Sequence, residues 1–154
     1  MKLKYFTYYF IFLIFLGSCG YERIYLSKEL NFNITKLEFI SNEKINKNIE
    51  RTFNSLNKNI DGKKIKAVVN SQKEKKIITK DKKGNPNLFE LSIKVEIYFY
   101  ENEKLLNKVT FIKNNNYSNN ENKFDLNIYE QNLEKILNEQ IVQENYTYLN
   151  QVEL

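Results

Sequence analysis

The stretch from Phe89 to Phe99 leaves little choice about what this chain folds into. Phe89, Leu91, Ile93, Val95, Ile97 and Phe99 take every second position, with Glu90, Ser92, Lys94, Glu96 and Tyr98 between them. Side chains alternate across a strand, so this spacing gives a strand with one apolar and one polar face. A sheet built on it must cover the apolar side with helices and leave the other side to water.

The flanking sequence supplies both kinds of element. Leu30, Phe32 and Ile34 alternate with polar residues, and Leu37 and Phe39 continue one step out of phase, which predicts a strand with a bulge near Thr35 and Lys36. Ser41 or Asn42 is placed to cap a helix over residues 42–58, with Ile45, Ile49, Phe53 and Leu56 on one face. Asp61-Gly62 is turn chemistry, and Ile65 to Val69 is a short strand. The lysine-rich segment Lys73 to Lys83 reads as a solvated strand edge or hairpin arm ahead of the turn Gly84-Asn85-Pro86-Asn87.

Beyond the central strand, Glu101 to Glu103 fits a tight connection, and Leu105, Val109 and Phe111 form the antiparallel return. Asn114 to Asn122 reads as loop, with Tyr117 to Lys123 a polar connection. A final helix is predicted from an N-cap at Asp125 to about Asn150. Its apolar stripe is Tyr129, Leu133, Ile136, Leu137, Ile141 and Tyr148, with Glu130, Glu134, Lys135, Glu139 and Glu144 mostly outside it. The expected fold class is α+β: a mainly antiparallel four-stranded sheet with two helices packed on one face, in the order β-α-β-β-β-α.

The N-terminus has a separate logic. Lys2 and Lys4 precede an apolar run from Tyr5 to Leu16, and Leu16-Gly17-Ser18 leads into Cys19, the one cysteine. The run is shorter than the ~20 residues a spanning helix needs. Charge, apolar core and small residues in that order make a secretory leader. Ending on small-small-Cys resembles the bacterial lipobox, which implies diacylglyceryl transfer to the Cys19 thiol, cleavage before it and acylation of the new amino group. The expected organisation is a signal peptide at 1–18, an acylated tether at 19–29 and one α+β domain at 30–154. Loss of Lys2 and Lys4 takes the formal charge from +5 to +3. That excess is too small for a nucleic-acid binder.

Chemistry is sparse in this sequence. Histidine is absent, which removes the commonest general base and metal ligand. Cys19 is committed to lipid, the four glycines form no phosphate loop, and Glu101 and Glu103 sit in a turn where nothing would desolvate them. These features argue against an enzyme and call for no metal or cofactor; they leave binding or assembly.

The lipobox followed by Gly20-Tyr21, a first strand, a helix around Asn46 to Leu56, the opening Phe89-Glu90-Leu91 of a long strand, a hairpin return, Tyr117-Ser118 and a long last helix together resemble the LPS-assembly lipoprotein (LptE) family. The resemblance spans essentially the whole chain through element order and short motifs. The last helix departs from it in having no alanine, and the lysine-rich middle departs too. The resemblance implies a lipoprotein on the periplasmic side of the outer membrane. Such a protein plugs and helps assemble the large β-barrel of the lipopolysaccharide translocon and contacts lipopolysaccharide. On that reading Lys75, Lys76, Lys80, Lys82 and Lys83 engage the phosphates of the head group. The rival reading is an auxiliary or structural envelope lipoprotein of a periplasmic lipid or solute transport system, with an apolar groove at Ile128, Val142 and Tyr146.

Overall fold

The computed structural model describes residues 30–58 and 61–154; the leader, Cys19 and the tether lie outside the described residues. The elements are β1 (Phe32–Phe39), α1 (Ile45–Leu56), β2 (Lys63–Lys80), β3 (Pro86–Glu101), β4 (Lys104–Ser118) and α2 (Lys123–Gln151). They form a single sheet in the order β1-β2-β3-β4. β1 runs parallel to β2, as a strand-helix-strand connection requires, and the other two pairs are antiparallel. The α+β class and the element order are those expected from the sequence.

Both helices cover the apolar face. Phe32 and Ile34 of β1, Ile65, Ala67 and Val69 of β2, all six alternating residues of β3, and Phe111 and Tyr117 of β4 are buried on it. Phe99 sits at the centre, its ring 6.3 Å from Phe32, 6.4 Å from Phe53 and 6.2 Å from Tyr148. The bulge in β1 falls where the phase shift put it, between Ile34 and Lys36. At that point Asn57 completes the edge: Ile34 N donates to its Oδ1 at 2.8 Å, and its Nδ2 donates to Ile34 O at 2.9 Å.

Several boundaries differ from the sequence reading. α1 begins at Ile45 behind Lys44, with no side-chain cap, because Ser41 is used elsewhere. Its Oγ accepts from Ser71 N at 3.0 Å and its carbonyl accepts from the Asn46 side chain at 2.6 Å. Ser71 Oγ also donates to Asn46 Oδ1 at 2.7 Å, so three polar residues pin the loop to β2. The short strand at Ile65 to Val69 and the lysine-rich hairpin arm are one strand, β2, running to Lys80, since its backbone ladder with β3 continues through the lysines. β4 likewise continues through the asparagines to Ser118, and Tyr117 is buried opposite Phe89 rather than part of a loop.

The last helix starts earlier than expected, and its buried stripe keeps Leu133, Leu137 and Ile141 but departs from the expected one elsewhere. Asn122 is its N-cap, accepting from Phe124 N at 3.0 Å, and Asp125 lies in the first turn. The buried residues are Leu126, Leu133, Glu134, Leu137, Asn138, Ile141, Asn145 and Leu149, whereas Tyr129 and Ile136 are each 50% exposed. From Leu133 onward the contacts step by four. A four-residue step overshoots one turn by about 40°, so the buried line winds along the i, i+4 ridge as the helix crosses the twisted sheet. A fixed stripe cannot follow it.

Two features carry stability predictions. The β3–β4 turn places Asn102 at φ 45° and Glu103 at φ 68°. Both positions of such a two-residue hairpin turn demand positive φ, which glycine adopts without the Cβ penalty. Glu103→Gly is expected to stabilise the domain by roughly 1 kcal/mol, read as a raised urea midpoint with unchanged slope. Asn145 is fully buried, and neither its Nδ2 nor its Oδ1 has a hydrogen-bond partner. Such a group loses its hydration without compensation, so Asn145→Leu is expected to gain about 1–2 kcal/mol; a destabilised variant would show that the amide is satisfied in solution.

Candidate interaction surface

The two faces of the sheet and its two ends have different characters. On the uncovered face, ion pairs within and across strands tile the surface. Glu96 lies 2.8 Å from Lys108 and 3.2 Å from Lys94. Glu38 lies 2.6 Å from Lys36 and 2.7 Å from Lys66. Asn114 donates to Glu90 at 3.0 Å. The Lys108 and Lys94 ammonium groups hold the Glu96 carboxyl below its ordinary range. A lowered folded pKa means that this stabilisation is present above the unfolded value of about 4.3 and is lost as pH falls through the folded one. Glu96→Gln should therefore flatten the loss of stability below pH ~4, by less than about 1 kcal/mol because the pair borders solvent. Urea midpoints of both proteins across that range check it.

The chain enters the domain at one end and turns at the other. Leu30 N donates to Leu56 O at 3.4 Å, and Lys63 pairs with Glu101 at 3.1 Å, so the entry lies beside the start of β2 and the end of β3. The β2–β3 turn lies at the far end of the 16-residue β3, about 50 Å away at ~3.3 Å per residue. That turn is rigid. Asp81 Oδ1 accepts from Lys83 N and Asn85 N, each at 2.8 Å, and Gly84 closes it at φ 86°. The Asn85 side chain and backbone amides keep the Asp81 carboxyl below its ordinary range.

The five lysines singled out from the sequence are divided among three settings. Lys80, Lys82 and Lys83 stand exposed at this far end. Lys76 is on the uncovered face, 2.9 Å from Glu74, which raises its pKa. Lys75 turns to the helix side, where it meets Glu130 and lies 4.3 Å from the centre of the Phe89 ring. Glu130 also accepts from the Tyr117 hydroxyl at 2.8 Å; burial, then this carboxylate, raises the Tyr117 pKa.

The polar seam around Lys75 was not read from the sequence. Next to it, buried Glu134 takes Lys73 at 3.1 Å and Lys44 at 3.7 Å. The signal was present in the spacing, since Lys73 and Lys75 two apart on a strand face Glu130 and Glu134 four apart on a helix. A groove of about 370 Å³ opens along this seam, floored by Leu91 and flanked by Lys44, Lys73, Lys75, Glu130 and Glu134. A second open groove of about 830 Å³, between the end of β4 and the start of α2, is lined by Tyr117, Asn119, Asn120 and Tyr129 among others. The apolar groove considered at Ile128, Val142 and Tyr146 does not form: Val142 and Tyr146 pack on the core while Ile128 is exposed. Among the described residues no acidic or cysteine cluster is placed to hold a metal ion, and no helix is long and apolar enough to cross a membrane.

No protein-family model and no curated protein matches this sequence. The fold does recur in solved structures. A minor lipoprotein from Acinetobacter baumannii aligns at TM-score 0.60 and 10% identity, covering 79% of this chain and 92% of its own. An uncharacterized lipoprotein B from Nitrosomonas europaea aligns at TM-score 0.54 and 18% identity, over 86% and 89%. The rare lipoprotein B from Shewanella oneidensis aligns at 0.51 and 15%, over 75% and 91%. At these identities the likeness is one of fold.

Proposed function

We propose that this chain is an envelope lipoprotein, tethered through acylated Cys19, whose work is to hold a partner rather than to catalyse a reaction. The observation that carries this reading is the join of two independent signals: a lipobox leader in the sequence, and a fold that covers about nine-tenths of chains which are themselves named lipoproteins. In its finer form, the partner is the large outer-membrane β-barrel of lipopolysaccharide transport, with the domain standing as a plug on the periplasmic side. The ion-paired face of the sheet supports that form, because the interior of a large barrel is polar and wet. Lys80, Lys82 and Lys83 at the far end are then the groups that meet lipopolysaccharide phosphates as point charges, while Lys75 and Lys76 are engaged by Glu130 and Glu74.

Extraction in mild detergent followed by affinity capture tests the reading. A stoichiometric large β-barrel, identified by mass, is the expected partner. An inner-membrane ATPase complex would replace the plug with an auxiliary transport lipoprotein, and capture of neither would leave a structural lipoprotein. Reversal of Lys80, Lys82 and Lys83 to glutamate should strip lipopolysaccharide from the captured complex; unchanged lipid would remove the lysines from the proposal.

A further inference from the structure

The groove beside Lys73 and Lys75 exists because β1 is shorter than the strand it pairs with. β1 follows β2 only from Lys63 to Val69. The last contacts on that side are Ile40 N to Val69 O at 2.9 Å and Ser71 N to Ser41 Oγ at 3.0 Å. Backbone groups alternate sides along a strand. With Val69 and Ser71 turned toward β1, the N–H and C=O groups of Lys73, Lys75 and Ile77 face the same way, and among the described residues no strand lies there to meet them. Glu74 and Lys76 instead aim at β3, opposite Ser92 and Glu90.

We propose that the open edge of β2 at Lys73, Lys75 and Ile77 takes up an extended, acidic polypeptide strand from another protein, in line with β1. Such addition satisfies the exposed ladder and gives alternate side chains a place to go. On the helix side they would enter the groove lined by Leu91 and Lys44. The charge of the edge selects the guest. Glu130 and Glu134 offset two of Lys44, Lys73 and Lys75, and Glu74 offsets Lys76. Lys80, Lys82 and Lys83 then exceed Asp81, leaving an excess of positive charge along the strand. Lysines on an edge repel a second copy of the same edge, and the same lysines attract a strand of opposite sign.

Per-residue amide hydrogen exchange on the full chain in detergent micelles tests this, with a synthetic peptide alternating glutamate and valine as the probe. Binding should slow exchange at Lys73, Lys75 and Ile77 by about tenfold or more, while Glu74 and Lys76, already engaged with β3, stay unchanged. The same peptide N-methylated on alternate residues should fail to protect, and a lysine-valine peptide should not bind. Ile77→Pro, which deletes an N–H on the open side without removing one from the β3 ladder, should weaken the glutamate peptide about tenfold. Unchanged exchange at saturating peptide would overturn the proposal, as would equal binding of the N-methylated peptide, which would mean charge attraction alone. Protection already complete in the free chain would assign the edge to the protein's own N-terminal segment and overturn it too. If Ile77→Pro does not fold, the N-methylated peptide still decides.

Discussion

Phe99→Ala is expected to cost about 3–5 kcal/mol, the range for deleting a large ring from a packed core. Phe99 has no exposed surface, and from β3 it touches Phe32 of β1, Phe53 of α1 and Tyr148 of α2. Losing the ring therefore opens a void shared by four elements, which no single side chain can fill by changing rotamer. Domains of this size have about 5–15 kcal/mol in hand, so the variant sits near the edge of folding at room temperature. Urea denaturation followed by circular dichroism measures the loss. Phe124→Ala is the matched control, since Phe124 is 72% exposed and its removal should change stability by no more than about 0.5 kcal/mol. A cost under about 1 kcal/mol for Phe99→Ala would mean that the core is not centred on this residue.

The other large effect concerns Cys19. In cells fed labelled palmitate, the wild-type chain is expected to take up label and to show a mass that begins at Cys19 plus its acyl groups; Cys19→Ser should take up none. The physical stake is the anchor. A buried methylene is worth ~0.8 kcal/mol, so one acyl chain binds marginally and two or three hold the protein to the membrane. Fractionation alone is a poor readout, because an unprocessed variant keeps its apolar run from Tyr5 to Leu16. An unlabelled wild-type chain with its leader intact would remove both the tether and the envelope role built on it.

The parts of the fold that could be read from the sequence are those where one local rule acts alone. β3 declared itself because every second residue from Phe89 to Phe99 is apolar, and the β1 bulge declared itself through a one-residue slip in the same rule. The end of β4 did not, since the asparagines there are held by backbone pairing with β3, which leaves no mark on side-chain type; the lysines of β2 were legible as a hairpin arm but not as one strand with Ile65 to Val69. The stripe on α2 was legible at Leu133, Leu137 and Ile141 and misread elsewhere for a geometric reason: its contacts drift around the helix, so Glu134 and Asn145 fall inside while Ile136 falls outside. Among the lysines, parity was the missed clue. Lys75 shares its side of the strand with Ala67 and Val69 and so turns under the helix, whereas Lys76 cannot.

The pairing of β2 with β3, in constant register from Lys66 to Ile77, makes this hairpin a depth gauge. Removing two residues from each arm would draw the Asp81–Asn85 turn back toward the Leu30 end of the domain by about 7 Å and leave every remaining side chain facing as before. Removing one from each would exchange the faces instead, sending outward what now lies under the helix. Reach on this scaffold is therefore adjustable only in even steps, and any relative that touches a target at a different height should differ from this chain by pairs of residues in both arms.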